Sequence, residues 1–201
     1  MDEAPAPRSA QEDLKYIRQT LETATKFSSV SGQGLMLVGF LTTAAVGVNL
    51  RVTGSPWDPG VDQFAALAVW AVLLVIGLAA GVWSTERKAR LAGKKLWTPA
   101  LVNALWAYGA GMALGGLLSL SAWKVGHLEL LPAIWLGCYG SAMTAAGVLS
   151  VSPVRWMGIS FLGLALVAVL SPPQAGLALL AAGFGWLHIG FGAWIHWRHI
   201  G

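Results

Sequence analysis

Charge is what this sequence has least of. Asp, Glu, Lys and Arg make up 11% of its 201 residues, where a soluble domain carries about one quarter. Hydrophobic residues make up 56% and the mean hydropathy is +0.63. This balance excludes a soluble enzyme with an ordinary polar surface and indicates an integral membrane protein. Cysteine is nearly missing too. Cys138 stands alone, which excludes an intramolecular disulfide and a cysteine-based metal site. Its apolar surroundings make it a small buried hydrophobe. The familiar signatures of catalysis are absent as well. GCYGS at residues 137–141 does not fit Gly-x-Ser-x-Gly. There is no Walker sequence, no His-Glu-x-x-His and no Gly-x-Gly-x-x-Gly following a strand. No cleavable signal is visible either: the first 34 residues are polar and carry both acids and bases, unlike a short basic lead followed at once by an apolar run.

What remains is a set of long apolar runs. A helix needs about 20 apolar residues to cross the hydrocarbon, within a range of about 17–25. Six segments meet this: residues 34–50, 64–83, 99–123, 130–149, 154–170 and 174–195. Pro99 opens the third, where a missing N–H costs nothing. Ser171-Pro172-Pro173 forces a turn between the fifth and sixth, and such short links make antiparallel neighbours. The expected fold is therefore all-α, a six-transmembrane helix bundle at 31–201 preceded by a cytoplasmic tail at 1–30.

Lysine and arginine predict the orientation. Arg8, Lys15, Arg18 and Lys26 precede the first span, and Arg87, Lys88, Arg90, Lys94 and Lys95 follow the second. Arg155 and Arg198 fall on the same side, leaving only Arg51 and Lys124 opposite. By the positive-inside rule both termini are cytoplasmic. The net charge of +4 then reflects topology and attraction to anionic lipid headgroups, with no nucleic-acid partner implied. Trp57 and Trp123 are expected at the outer boundary; Trp83, Trp97, Trp156 and Trp197 are expected at the inner one.

Within the tail, Ser9 and Glu12 fit a capping box. Leu14, Ile17, Leu21 and Ala24 recur at helical spacing, predicting an amphipathic helix whose stripe packs on the bundle, on a second copy, or on a cytoplasmic protein partner. Glu22 and Lys26 form a favourable i,i+4 pair.

Helices in lipid associate through close packing, which small residues permit. Gly77 with Gly81, and Gly111 with Gly115, present such faces. On the last span Gly185 and Gly192 share a side with His188, while Trp186, Trp194 and Trp197 point the other way. No Asp, Glu, Lys or Arg falls within the spans, which weighs against a carboxylate proton relay, a voltage sensor and a charge-lined ion pathway. The polar residues that do fall there include Thr42, Thr43, Asn103, Tyr108, Tyr139 and His188. They are candidates either for interhelical hydrogen bonds or for a small ligand pocket. Haem ligation would need a second histidine at the depth of His188, and none is present on another span. His196-x-x-His199 has helical ligand spacing without a third ligand, so no metal or other cofactor is expected.

Three stretches, DLKYIRQTLETATKFSSVSG at 13–32, SVSPVRWMG at 150–158 and GWLHIGFG at 185–192, together resemble an uncharacterised family of small bacterial six-helix integral membrane proteins. The resemblance runs along most of the chain. It implies a bacterial inner (cytoplasmic) membrane and no known reaction. The functional expectation is a non-enzymatic membrane-embedded sensor or interaction subunit that forms a homo-oligomer. A small permease or binding protein for lipid or an apolar solute is one alternative, and a haem or quinone protein is the other.

Overall fold

The computed structural model describes residues 11, 12, 14, 30–54, 57, 63–91, 93 and 97–198. Every regular element of any length among them is helical. We label the long ones α1 (Gly32–Thr53), α2 (Gln63–Leu91), α3 (Pro99–Val125), α4 (Leu131–Val148), α5 (Ser152–Leu170) and α6 (Pro173–Arg198). Local chemistry fixes their ends. The Ser31 hydroxyl accepts from Gly34 N–H at 3.1 Å and opens α1, and Thr98 does the same for Leu101 at 3.2 Å in α3. Gly54 and Gly126 close these helices in the left-handed region, at φ of 65° and 79°, where a side chain would be strained.

Five of the helices, all but α4, are long and apolar enough to cross a membrane. The expected span at 130–149, which holds α4, is therefore not among them. Helix α4 has 18 residues, many of them buried, and it packs against α3, α5 and α6. Cys138, Tyr139 and Thr144 on it are each half-buried, so Cys138 is not the fully buried hydrophobe that its apolar neighbours suggest.

The helices fall into two groups of three. In one, α1 lies between α2 and α6; in the other, α4 lies between α3 and α5; α6 also touches α4 and α5 and joins the groups. Glycines make the seams. A Cβ on Gly192 would lie 2.7 Å from the Gly32 carbonyl oxygen, and one on Gly39 would lie 2.6 Å from that of Gly185. The α1 and α6 backbones therefore run antiparallel in direct contact. Gly140 and Gly158 do the same for α4 and α5, with 2.9 Å between the Gly140 Cβ position and the Gly158 oxygen.

Of the glycines expected at contacts, Gly111 abuts Ala142, Gly115 abuts Cys138, and Gly185 and Gly192 face α1. Gly77 reaches Val38 only at 3.9 Å and Gly81 has nothing within 4 Å. The reason is that α2 rests mainly on α1 and leaves its remaining faces, including Val72, Val75, Leu78 and Val82, exposed.

In the tail, residues 11, 12 and 14 are helical and Leu14 is exposed. Ile17, Leu21 and Ala24 lie outside the described residues, as do Ser9, Glu22, Lys26, Lys94, Lys95 and His199.

Candidate functional site

The middle of the bundle is aromatic. Tyr139 on α4 packs against Phe161 on α5 (ring centroids 4.7 Å apart), Phe184 on α6 (5.0 Å) and Tyr108 on α3 (6.1 Å). His188 enters the same cluster, 5.5 Å from Phe161 and stacked on Phe184 at 5.9 Å. It is 2% exposed. A buried imidazole in such surroundings needs partners for both nitrogens, and it has them. Nδ1 lies 3.4 Å from the Gly183 carbonyl and Nε2 lies 2.8 Å from the Tyr139 hydroxyl. Both contacts are satisfied at once when His188 carries its proton on Nδ1, donates weakly to Gly183, and accepts from the tyrosine on Nε2.

The backbone of α6 helps to arrange this. Residues Ala181–Leu187 form a π-helical segment immediately before His188. Ala181, Ala182, Gly183 and Gly185 crowd the wider turn little, and such segments often mark functional positions. Gly183 has no room for a Cβ, which would lie 2.9 Å from Phe161. The backbone at Gly183 thus packs closely on Leu136 of α4 and on Phe161 of α5.

Of the residues singled out from sequence, His188, Tyr139 and Tyr108 come together. Among the described residues the Tyr108 hydroxyl has no hydrogen-bond partner; the Tyr108 ring meets the edge of the Tyr139 ring. Thr42 and Thr43 bond back to their own helix, to the Val38 and Gly39 carbonyls at 2.9 and 3.0 Å, a habit of threonine within helices. Thr43 Oγ1 also lies 3.2 Å from the Cβ position of Gly185, so it borders α6 without bonding to His188. Asn103 is exposed on α3 and outside the cluster.

A second cluster was not anticipated. Trp57, Trp70 and Trp135 meet with ring centroids 5.7–6.4 Å apart. Each indole N–H donates within the protein: Trp57 to the Leu128 carbonyl (3.2 Å), Trp70 to Asn49 Oδ1 (3.2 Å) and Trp135 to Ser119 Oγ (2.9 Å). Trp57 is therefore no boundary anchor: it is 9% exposed, with an unusual φ of 82°. Burial of a large ring, its edge contacts and its hydrogen bond offset the backbone strain. Asn49, Ser119 and the pairing of Trp70 and Trp135 were missed because interior polar groups look isolated until the helices are placed side by side. Asn49, between apolar neighbours in the last turns of α1, was the available signal.

The tryptophans of the last span behave as expected: Trp186, Trp194 and Trp197 are all exposed. At the far side, His127 Nδ1 and Glu129 Oε1 are 2.8 Å apart. The Glu129 carboxyl is held below its ordinary value by its own backbone N–H and then by His127. Among the described residues no three His, Cys, Asp or Glu side chains converge on a metal-sized site. No protein-family model, curated protein or solved structure matches this chain.

Proposed function

We propose that this chain is a non-enzymatic protein of the bacterial inner membrane, with six spans and both termini in the cytoplasm, that acts as a membrane-embedded interaction or sensing subunit. The likeness of its tail, its 150–158 segment and its 185–192 segment to small bacterial six-helix proteins supports the setting. The observation that carries the role is the closure of the central site. The membrane-depth histidine has both nitrogens engaged by Tyr139 and Gly183, so it offers no free position for an axial haem ligand or a general base. The groups that remain open are on the outside: α2 held mainly on one side, and the exposed Leu14 of the tail. A second copy packed along the membrane, and a soluble protein on the tail, are the partners this surface supports.

The Tyr108 hydroxyl supports a second reading. A hydroxyl removed from water without a partner costs free energy, and the half-buried Tyr108 stands beside the Tyr139–His188 pair. That favours a small apolar solute with one hydrogen-bonding group.

Native mass measurement from mild detergent tests both readings. The first expects more than one copy, no chromophore, and loss of a co-purifying partner when residues 1–27 are deleted while insertion is intact. Unchanged co-purification after that deletion refutes it. The second expects a retained small molecule that is lost in Tyr108→Phe.

A further inference from the structure

The end of the bundle where α1 begins is strongly basic. Lys88 Nζ donates to the Val30 carbonyl at 3.2 Å, which sets the last turns of α2 beside the start of α1. The backbone of His196 abuts Gly32, which sets the end of α6 there too. The backbone of Arg155 lies 2.6 Å from the Cβ position of Gly147, at the end of α4, and α5 packs along the last segment of α6. Arg87, Lys88, Arg90, Arg155 and Arg198 thus share one end. Arg90 is engaged by Glu86 at 3.7 Å. Among the described residues no carboxylate lies within ion-pair distance of Arg87, Arg155 or Arg198.

Two of these guanidinium groups are propped on indole rings: Arg87 lies 5.7 Å from the centre of Trp83 and Arg198 lies 5.9 Å from that of Trp194. A guanidinium so held loses less freedom when it binds a phosphate, which its planar fork fits. Directly along the same helices lie exposed apolar side chains: Leu78 and Val82 on α2, and Ile159 and Leu162 on α5. Trp83, Trp156 and Trp197 are exposed at the same level, as indoles at a headgroup boundary are.

We propose that Arg87, Arg155 and Arg198 form a binding rim for the phosphate headgroups of anionic phospholipids, whose acyl chains lie on the apolar faces of α2 and α5. The neighbouring apolar surface selects a lipid over a free phosphate. The proposal depends on the chain lying in a membrane and not on its role as an interaction subunit.

The test uses the full chain in mild detergent with equal phosphatidylglycerol and phosphatidylcholine, counting retained lipids by native mass spectrometry. The wild type is expected to enrich phosphatidylglycerol. Removing each arginine, as Arg87→Gln, Arg155→Gln or Arg198→Gln, is expected to lower that enrichment by up to about fivefold, the value of one basic residue near an anionic surface. Arg51→Gln with Lys124→Gln, at the other end, is expected to leave it unchanged. No enrichment in the wild type, equal loss from the opposite end, or full enrichment in all three arginine variants overturns the proposal. Displacement of the retained lipid by millimolar inorganic phosphate overturns the assignment to lipid.

Discussion

Replacing Tyr139 by Phe removes one oxygen from the centre of the bundle and little else. The ring keeps its contacts with Phe161, Phe184 and Tyr108, at 4.7, 5.0 and 6.1 Å. The hydroxyl it loses is the one 2.8 Å from His188 Nε2. Hydrogen bonds between membrane helices average about 0.6 kcal/mol and reach about 1.7. Because His188 is 2% exposed, its acceptor nitrogen would then have no alternative partner, and an orphaned buried group costs about 1–3 kcal/mol. Tyr139→Phe should therefore destabilise by about 1–3 kcal/mol. His188→Leu should cost at least as much, since it orphans the Tyr139 hydroxyl and also loses the Gly183 contact. The double variant removes both ends of the bond and should be little worse than His188→Leu alone. That predicts a coupling close to the Tyr139→Phe loss itself, about 1–3 kcal/mol, in a double-mutant cycle, against the additivity within about 0.5 kcal/mol seen for independent sites. Reversible unfolding in mixed micelles, followed by tryptophan fluorescence, measures all four proteins. Additive losses would refute the reasoning and reduce the 2.8 Å contact to a coincidence of packing.

Glycine substitutions should separate the seams from the open faces. Gly192→Ala sets a methyl group 2.7 Å from the Gly32 carbonyl oxygen, a backbone atom that can move only with α1, so it should lower the unfolding midpoint and loosen α6. Gly81→Ala meets nothing within 4 Å and should be neutral or stabilising, by up to about 1 kcal/mol from helix propensity. Trp70→Phe keeps much of the ring stack but leaves Asn49 Oδ1 without its indole donor; a loss of about 1 kcal/mol, measured in the same unfolding assay, is expected.

How much of this was legible in the sequence follows from which forces are local. Where the apolar runs begin and end depends on composition, caps and prolines, and five of the six helices lie close to their runs; α2 continues past the run at 64–83 to Leu91, so Arg87, Lys88 and Arg90, expected in a loop, are helical. The division of the last span into a tryptophan side and a glycine–histidine side follows from helical geometry, and Trp186 exposed with His188 buried agrees with it. Which helix each side meets is a different matter. Apolar surface gains nothing by leaving lipid for another apolar helix, so the choice of neighbour rests on the fit of small residues and on a few polar pairs. Gly77 and Gly81 have the same spacing as Gly111 and Gly115, yet only the second pair meets a close neighbour.

The sequence by itself determined the class of object: scarce charge and long apolar runs give an all-helical chain with helices long and apolar enough to cross a membrane, and a lone cysteine removes an intramolecular disulfide. It also isolated His188 as the histidine within an apolar run. Only the tertiary structure decided what that residue does with its nitrogens. Tyr139 lies 49 positions away, and nothing in local propensity encodes that separation. The same holds for Trp57, which composition assigns to a boundary and packing carries inward to Trp70 and Trp135. In both cases the deciding quantity is the need of a buried polar group for a partner, and that partner is defined only once the helices are side by side.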